Sequence, residues 1–275
     1  MKIDAHQHFW IFDPVRDSWI NDEMSAIRRD FLPEDLKPIL TEHGFDGCVA
    51  VQADQTEAQN DFLLTFATQN DFIKGVVGWV DLQNPQIEER LSYYAGNAKM
   101  KGFRHILQGE SQRDFMLRPA FVNGISLLEK YNFTYDVLIF PDQIKFSEKL
   151  VKAFPNQKFV IDHIAKPEIK NQKIDDWKKD ITAIAQYENI FCKVSGMVTE
   201  ADFNRWKPED FTPYLDVVFE AFGTKRLIYG SDWPVCNVAG GYSKALNILH
   251  IYTQQLTENE QALFFGDNAN LFYNL

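Results

Sequence analysis

The stretch that decides the fold is a short apolar strand that runs into two alternating histidines, Lys2-Ile3-Asp4-Ala5-His6-Gln7-His8-Phe9-Trp10. In a β-strand, residues i and i+2 point to the same side, so His6 and His8 are expected to present both imidazoles to one face. Imidazole is a common metal ligand and a common acid–base group. The pair therefore predicts a metal site or a polar catalytic site whose other members come from distant parts of the chain.

The composition limits the class of protein. The chain has 275 residues, of which 45% are hydrophobic, and a formal net charge of −11. This length suits one large domain over 1–275, and the negative charge without a basic stripe disfavours a nucleic-acid partner. Cys48, Cys192 and Cys236 lie far apart, which favours reduced thiols in the cytoplasm over disulfides. We expect a cytoplasmic protein with no membrane segment and a small-molecule partner, and leave open whether it forms a homo-oligomer.

Short apolar segments alternate with stretches of helical periodicity along the whole chain. The predicted strands are 3–5, 47–52, 75–80, 102–106, 134–139, 158–161, 190–194 and 227–229. The predicted helices include 33–43, 57–70, 119–131, 141–154, 175–187 and 211–222, with 242–256 and 258–275 expected to cover the barrel base. A doubly wound open sheet would usually carry a Gly-rich turn after its first strand, and none is present. The pattern therefore predicts a single-domain (β/α)8 TIM barrel.

Polar side chains collect at the ends of these strands, where barrel enzymes build their active sites. In addition to the first-strand histidines, they are Gln52, Arg104, His105, Asp136, Asp162, His163, Lys166, Lys193 and Asp232. Strand alternation predicts that Asp162 faces the helix layer while His163 faces the barrel. Trp10, Trp79 and Trp233 lie beside these polar groups. Such tryptophans most often pack in the core, but their clustering also suits a sugar-sized ligand.

Five motifs, each at a predicted strand end, resemble the amidohydrolase superfamily. They are the stretch from Asp4 to Trp10, Gly102-Phe103-Arg104-His105, Asp162-His163-Ile164-Ala165-Lys166-Pro167, Lys193-Val194-Ser195-Gly196 and Gly230-Ser231-Asp232-Trp233-Pro234-Val235. Within the superfamily, the chain is most similar to the amidohydrolase-related group with sugar lactonases of the L-fuconolactonase and L-rhamnonolactonase type. The resemblance implies a distorted (β/α)8 barrel and a hydrolase of carbohydrate metabolism that opens a sugar-acid lactone with water.

The resemblance also implies roles for individual residues. The metal ligands would be His6, His8, His163 and Asp232. For the mechanism, our hypothesis is that Asp232 accepts the proton of the attacking water and that, without a metal, His163, Arg104 and His105 stabilise the oxyanion. From the residues themselves we expect substrate to be bound by Trp10, Gln52, Trp79, Lys166, Lys193 and Trp233, with ion pairing at the barrel rim as an equally open role for Lys166 and Lys193. We expect the loops 11–30, 108–117 and 199–210 to set the choice of lactone.

One departure from the family pattern concerns the metal. The wider superfamily often has a histidine at the end of strand five and a bridging Lys or Glu at strand four, whereas this chain has Asp136 and Arg104-His105. We therefore expect one of two cases. Either the site binds a single divalent ion, which would be zinc, or catalysis needs no metal. The alternative function is that of a zinc-dependent non-oxidative decarboxylase of the same superfamily. A nuclease of the superfamily is disfavoured, because it would need a phosphate-attracting surface and the chain has a net charge of −11.

Overall fold

The computed structural model describes residues 1–275 and contains one sheet of eight parallel strands, in which each strand pairs with the next along the chain. The strands are β1 Ile3–Gln7, β2 Gly47–Val51, β3 Ile73–Gly78, β4 Met100–His105, β5 Thr134–Val137, β6 Phe159–Ile161, β7 Ile190–Val194 and β8 Leu227–Tyr229. The end of β1 pairs with the segment after β8, because the His8 amide donates to the Trp233 carbonyl at 2.7 Å and the Asp232 amide donates to the His6 carbonyl at 2.8 Å. The prediction of a (β/α)8 barrel is confirmed.

Helices follow the strands and cover the outside of the barrel. They are α1 Pro33–Glu42, α2 Glu57–Gln69, α3 Ile87–Ala95, α4 Pro119–Leu128, α5 Ile144–Ala153, α6 Asp175–Ile184, α7 Thr212–Phe222, α8 Tyr242–Thr253, α9 Glu258–Ala262 and α10 Asn268–Tyr273. Pro33 and Pro119 occupy first turns, where a backbone N–H is not needed. The helix expected from 141 begins instead at Ile144, after a 3₁₀ turn over Pro141–Gln143.

The base of the barrel is apolar and is sealed by the C-terminal helix. The inner cluster contains Ile3, Ala5, Val49, Val51, Val77, Val160 and Ile228, packed against Phe272 and Tyr273 of α10. The predicted closure of the base by the C-terminal residues is confirmed for this helix. Polar residues are thereby left to the upper part of the barrel interior. No helix combines the length and the apolar character needed to cross a lipid bilayer.

Candidate active site

The two first-strand histidines reach the barrel interior because β1 is irregular. Ile3 and Ala5 pack inside the barrel base, so strict alternation would turn His6 outward. The pairing of β1 with β2 shifts register between Asp4 and Gln7, and this bulge redirects the side chains that follow it. His6 and His8 then lie on the same side, with ring centroids 5.0 Å apart.

Three histidines surround one carboxylate oxygen. The Oδ1 atom of Asp232 lies 3.4 Å from Nε2 of His8, 3.9 Å from Nε2 of His163 and 4.0 Å from Nε2 of His6. All four side chains are almost completely buried. The predicted set from strands one, six and eight is therefore brought together at one point.

The other ring nitrogen of each histidine has a partner that fixes the ring. Nδ1 of His8 lies 2.8 Å from the carbonyl of Val51, which can only accept, so Nδ1 carries the hydrogen and Nε2 is free to act as a ligand. Nδ1 of His163 lies 2.9 Å from Oγ of Ser195. These contacts aim the Nε2 atoms at Asp232.

His6 is oriented by charged partners. Its Nε2 accepts a hydrogen bond from Nη1 of Arg104 at 3.2 Å, since a guanidinium only donates. In the neutral ring the hydrogen is left to Nδ1, which lies 3.2 Å from both Oδ1 of Asp162 and Nζ of Lys193, and of these two only the carboxylate can accept it. Burial also lowers the pKa of His6 well below its ordinary value, which favours this neutral form.

The prediction that Asp162 faces the helix layer is wrong. Its carboxylate contacts His6, Arg104 and Lys193 inside the barrel, which continues the alternation from the inward-facing Val160. His163 also reaches the interior because the chain leaves the strand conformation directly after Asp162.

The segment after β6 is held in a rare backbone conformation. Four consecutive residues have positive φ, namely His163 at 55°, Ile164 at 48°, Ala165 at 59° and Lys166 at 51°. The left-handed conformation costs roughly 1–2 kcal/mol per non-glycine residue, so surrounding contacts must hold it. One such contact is the hydrogen bond from Nε1 of Trp177 to the Ile164 carbonyl, at 2.8 Å.

A buried ionic network lies beneath the histidines. Nζ of Lys193 pairs with the carboxylates of Asp136 and Asp162, and all three side chains are fully buried. Arg104 pairs with Asp162 from the other side at 3.1 Å. Tyr273 of α10 donates to Oδ2 of Asp136 at 2.8 Å, which links the barrel base to the network.

A cavity of about 350 Å³ opens above this arrangement. The residues of the predicted site that line it are His8, Trp10, Arg104, His163, Lys166 and Asp232. Its volume suits a small organic molecule. The cavity places a carboxylate, two imidazoles and two cationic side chains around one ligand position.

Besides His6, five other predicted site residues lie away from the cavity wall. Lys193 belongs to the buried network, and the buried Gln52 donates from Nε2 to the Arg104 carbonyl at 3.1 Å. Trp233 packs edge-on against Phe31. The remaining two are Trp79 and His105, whose rings are hydrogen-bonded to each other at 3.3 Å.

The pKa shifts of Asp232 and His163 favour a site that can accept a proton at neutral pH. Burial acts to raise the pKa of Asp232, but its contacts with His163 and His8 outweigh this and hold the pKa below its ordinary value. Burial lowers the pKa of His163 well below its usual range. At neutral pH the cavity therefore contains an ionised carboxylate next to a neutral imidazole.

The same donor atoms fit a divalent metal ion. His6, His8 and Asp232 offer ligand atoms that all lie within 4.8 Å of one another, and nitrogen together with carboxylate oxygen is a donor set that zinc accepts. A metal ion on Nε2 of His6 would have to displace the hydrogen bond from Arg104. The residues thus fit one ion.

Several residues of the site were not predicted. Gly196 has φ of 58°, and a Cβ there would lie 2.4 Å from Nδ1 of His163, so the position requires glycine. Trp19 and Gln108 line the cavity from two of the loops expected to set the choice of lactone. Their position in these loops was the only signal available.

Comparison with known proteins places the chain in a family. The amidohydrolase family profile matches residues 3–275, and the chain belongs to this family. The L-fucono-1,5-lactonase of Burkholderia multivorans is 34% identical over 286 residues, covering 100% of this chain and 96% of that protein. A crystal structure of a B. multivorans amidohydrolase with bound zinc is 33% identical, with a TM-score of 0.96 and coverage of 100% and 99% of the two chains.

A more distant neighbour shares only the fold. The 5-carboxyvanillate decarboxylase of Sphingomonas paucimobilis is 14% identical, with a TM-score of 0.69 and coverage of 100% of this chain and 99% of that chain. At this identity the similarity carries no information about chemistry.

Proposed function

We propose that this member of the amidohydrolase family hydrolyses a sugar-acid lactone such as L-fuconolactone or L-rhamnonolactone. The observation that carries the proposal is the position of Asp232 Oδ1 among three imidazole Nε2 atoms at the wall of a cavity of small-molecule size. The full-length similarity to an L-fucono-1,5-lactonase supports the same reaction. No comparable support exists for the decarboxylase alternative.

Asp232 acts as the general base. A water molecule attacks the lactone carbonyl carbon, and its proton passes to the Asp232 carboxylate, which is ionised at neutral pH. The tetrahedral intermediate then expels the ring oxygen, which takes this proton back and becomes a hydroxyl group. The product is the open-chain hydroxy acid.

Arg104 supplies positive charge to the carbonyl oxygen. Both of its terminal nitrogens are held by hydrogen bonds to protein partners, which fixes the guanidinium at the cavity wall. A preorganised donor at a site that excludes water stabilises a developing oxyanion. Lys166 holds the product carboxylate; its position in the cavity wall, where it pairs with Glu200 at 3.1 Å, supports this role.

We infer that the metal ion this site would bind is zinc, which His6, His8, His163 and Asp232 would hold. When bound, it would polarise the carbonyl or lower the pKa of the attacking water. The bound zinc in the B. multivorans structure supports this choice of metal.

We further infer that the enzyme works in the cytoplasm, in carbohydrate metabolism. Its three cysteines are free and buried, which suits a reducing compartment.

A pH-indicator assay with a panel of aldonolactones tests the function. Asp232→Asn is expected to lower kcat/KM by roughly 10²–10⁴-fold, the range that general-base catalysis supplies. Asp71→Asn, which changes an exposed carboxylate, serves as the matched control. Near wild-type rates for Asp232→Asn on every accepted lactone would exclude Asp232 as the base.

The same assay is run on chelator-treated and zinc-loaded enzyme, with zinc binding measured by calorimetry. One zinc ion per chain and loss of activity on chelation are expected. Full activity of the chelated enzyme would show that the protein side chains suffice. Decarboxylation of an aromatic acid without hydrolysis of any lactone would favour the alternative function.

A further inference from the structure

The two cationic side chains of the cavity wall differ in how far the protein occupies them. The terminal nitrogens of Arg104 are held by hydrogen bonds to protein partners. Nζ of Lys166 carries three donor hydrogens, and within the protein it makes one hydrogen bond, to Oε1 of Glu200 at 3.1 Å. The Lys166 side chain lines the cavity and is 16% exposed. Lys166 therefore keeps donors for an anionic ligand, but it shares its charge with Glu200.

Two turns at neighbouring strand ends bring Lys166 and Glu200 together. Lys166 ends the segment of positive φ that follows β6. Glu200 ends the 3₁₀ turn Met197–Glu200 after β7, where the Gly196 carbonyl accepts from the hydroxyl of Thr199 at 2.7 Å. Glu200 is 20% exposed and is not part of the cavity wall. Its effect on a ligand must therefore pass through Lys166.

Opening a lactone changes the charge of the molecule in the cavity. The substrate is neutral. Hydrolysis adds water, breaks the bond between the carbonyl carbon and the ring oxygen, and yields a hydroxyl group and a carboxylic acid. At neutral pH this acid gives its proton to the solvent and becomes a carboxylate. An ammonium in the cavity wall consequently attracts the product more strongly than the substrate, and slow release of the product limits turnover.

We propose that Glu200 promotes product release by weakening the hold of Lys166 on the carboxylate of the opened sugar acid. This inference rests on the proposed lactonase function. A product carboxylate bound to Nζ of Lys166 would lie close to the carboxylate of Glu200, and the two negative charges would repel each other. Glu200 also occupies one of the three donors of Nζ. The neutral lactone does not experience the repulsion, so Glu200 separates product from substrate by charge.

The test compares two ligands that differ in one group. Calorimetry at equal zinc content measures the binding of L-fuconate and of L-fucitol, which has a neutral hydroxymethyl group in place of the carboxylate. The proteins are wild type, Glu200→Gln, Lys166→Met and the control Glu168→Gln. Glutamine keeps the length of glutamate and can still accept from Nζ of Lys166. Glu168 is exposed, pairs with Lys173 at 2.9 Å and does not line the cavity.

The measured quantity is the affinity for L-fuconate divided by the affinity for L-fucitol. Glu200→Gln should raise this ratio roughly fivefold, because water screens much of the repulsion between partly exposed charges. Lys166→Met should lower the ratio roughly tenfold, because the product loses a charge-assisted hydrogen bond. Glu168→Gln should keep the wild-type ratio. An unchanged or lower ratio in Glu200→Gln would overturn the proposal, as would an unchanged ratio in Lys166→Met.

Initial rates of lactone hydrolysis separate this inference from the proposed function. Added L-fuconate should inhibit Glu200→Gln at a roughly fivefold lower concentration than wild type, in line with its tighter binding. Hydrolysis by the wild type together with equal inhibition of the two proteins would refute the role of Glu200 and leave the lactonase function standing. A wild type that hydrolyses no lactone would refute the proposed function itself.

Discussion

Replacing Lys193 with methionine should strongly destabilise the protein, because Lys193 balances two buried carboxylates. Asp136, Asp162 and Lys193 are fully buried, and Arg104 is only 4% exposed. With His6 uncharged, the network is neutral, because the two cations Lys193 and Arg104 balance the two carboxylates. Methionine preserves the bulk of the side chain and leaves one negative charge without a partner.

The expected loss of stability in Lys193→Met follows from the burial of the ion pairs. Removing one partner of a fully buried ion pair costs roughly 3–5 kcal/mol, because the remaining charge loses its compensation away from water. For a chain of this size, that corresponds to a fall in Tm of roughly 6–20 °C. Exposed pairs such as Lys173 with Glu168, in which the side chains are 69% and 51% exposed, should contribute far less. Lys173→Met is therefore the matched control.

A double-mutant cycle tests the charge argument itself. Asp136→Asn alone leaves one excess positive charge, whereas Lys193→Met with Asp136→Asn restores neutrality. The free energy of unfolding should show a coupling of about 2 kcal/mol, so that the double variant loses less than the two single variants together. Urea unfolding is measured at pH 8, because burial raises the pKa of Asp136 and a lower pH would partly neutralise it. Additive losses would refute the interpretation of Lys193 as a balancing charge.

Two further substitutions probe how the site is positioned. Gly196→Ala should lower kcat/KM by roughly 10²-fold, because its Cβ would lie 2.4 Å from Nδ1 of His163 and displace the ring. Gly223→Ala is the control, since Gly223 has a similar φ of 62° and a Cβ there would meet no atom within 4 Å. Equal losses of activity in the two variants would contradict the argument that Gly196 positions the His163 ring. Trp177→Phe should lower the free energy of unfolding by roughly 1–3 kcal/mol, because the buried Ile164 carbonyl loses its hydrogen-bond donor. Urea unfolding measures this loss. An unchanged stability would show that this hydrogen bond does not hold the segment after β6 in its conformation.

The strands were predictable because parallel barrel strands are buried on both faces. Such strands form continuous apolar runs, and each predicted segment overlaps one observed strand. Helix α3 was not among the predicted helices. It has nine residues, fewer than the window over which helical periodicity is distinct, and only Ile87, Leu91 and Tyr94 are buried in it.

The membership of the site was less predictable than the fold. A polar residue at a strand end can line the cavity, support the cavity from below or bond to its neighbours, and the one-dimensional pattern does not separate these cases. Lys193 and Lys166 illustrate the difference: Lys193 is fully buried beneath His6, while Lys166 lines the cavity. The distinction depends on depth within the barrel, which is set by the packing of all eight strands.

The placement of His6 and His8 shows why the opening motif is insufficient by itself. On a regular strand, Ile3 and Ala5 inside the barrel would put both histidines in the helix layer. The bulge in β1 reverses this, and it brings His6 so close to β8 that a Cβ on Gly230 would lie 2.5 Å from Cβ of His6. The inward direction of the histidine pair therefore depends on a glycine directly after the last strand. A His-x-His pair opening a barrel predicts an interior site only when the closing strand leaves this space.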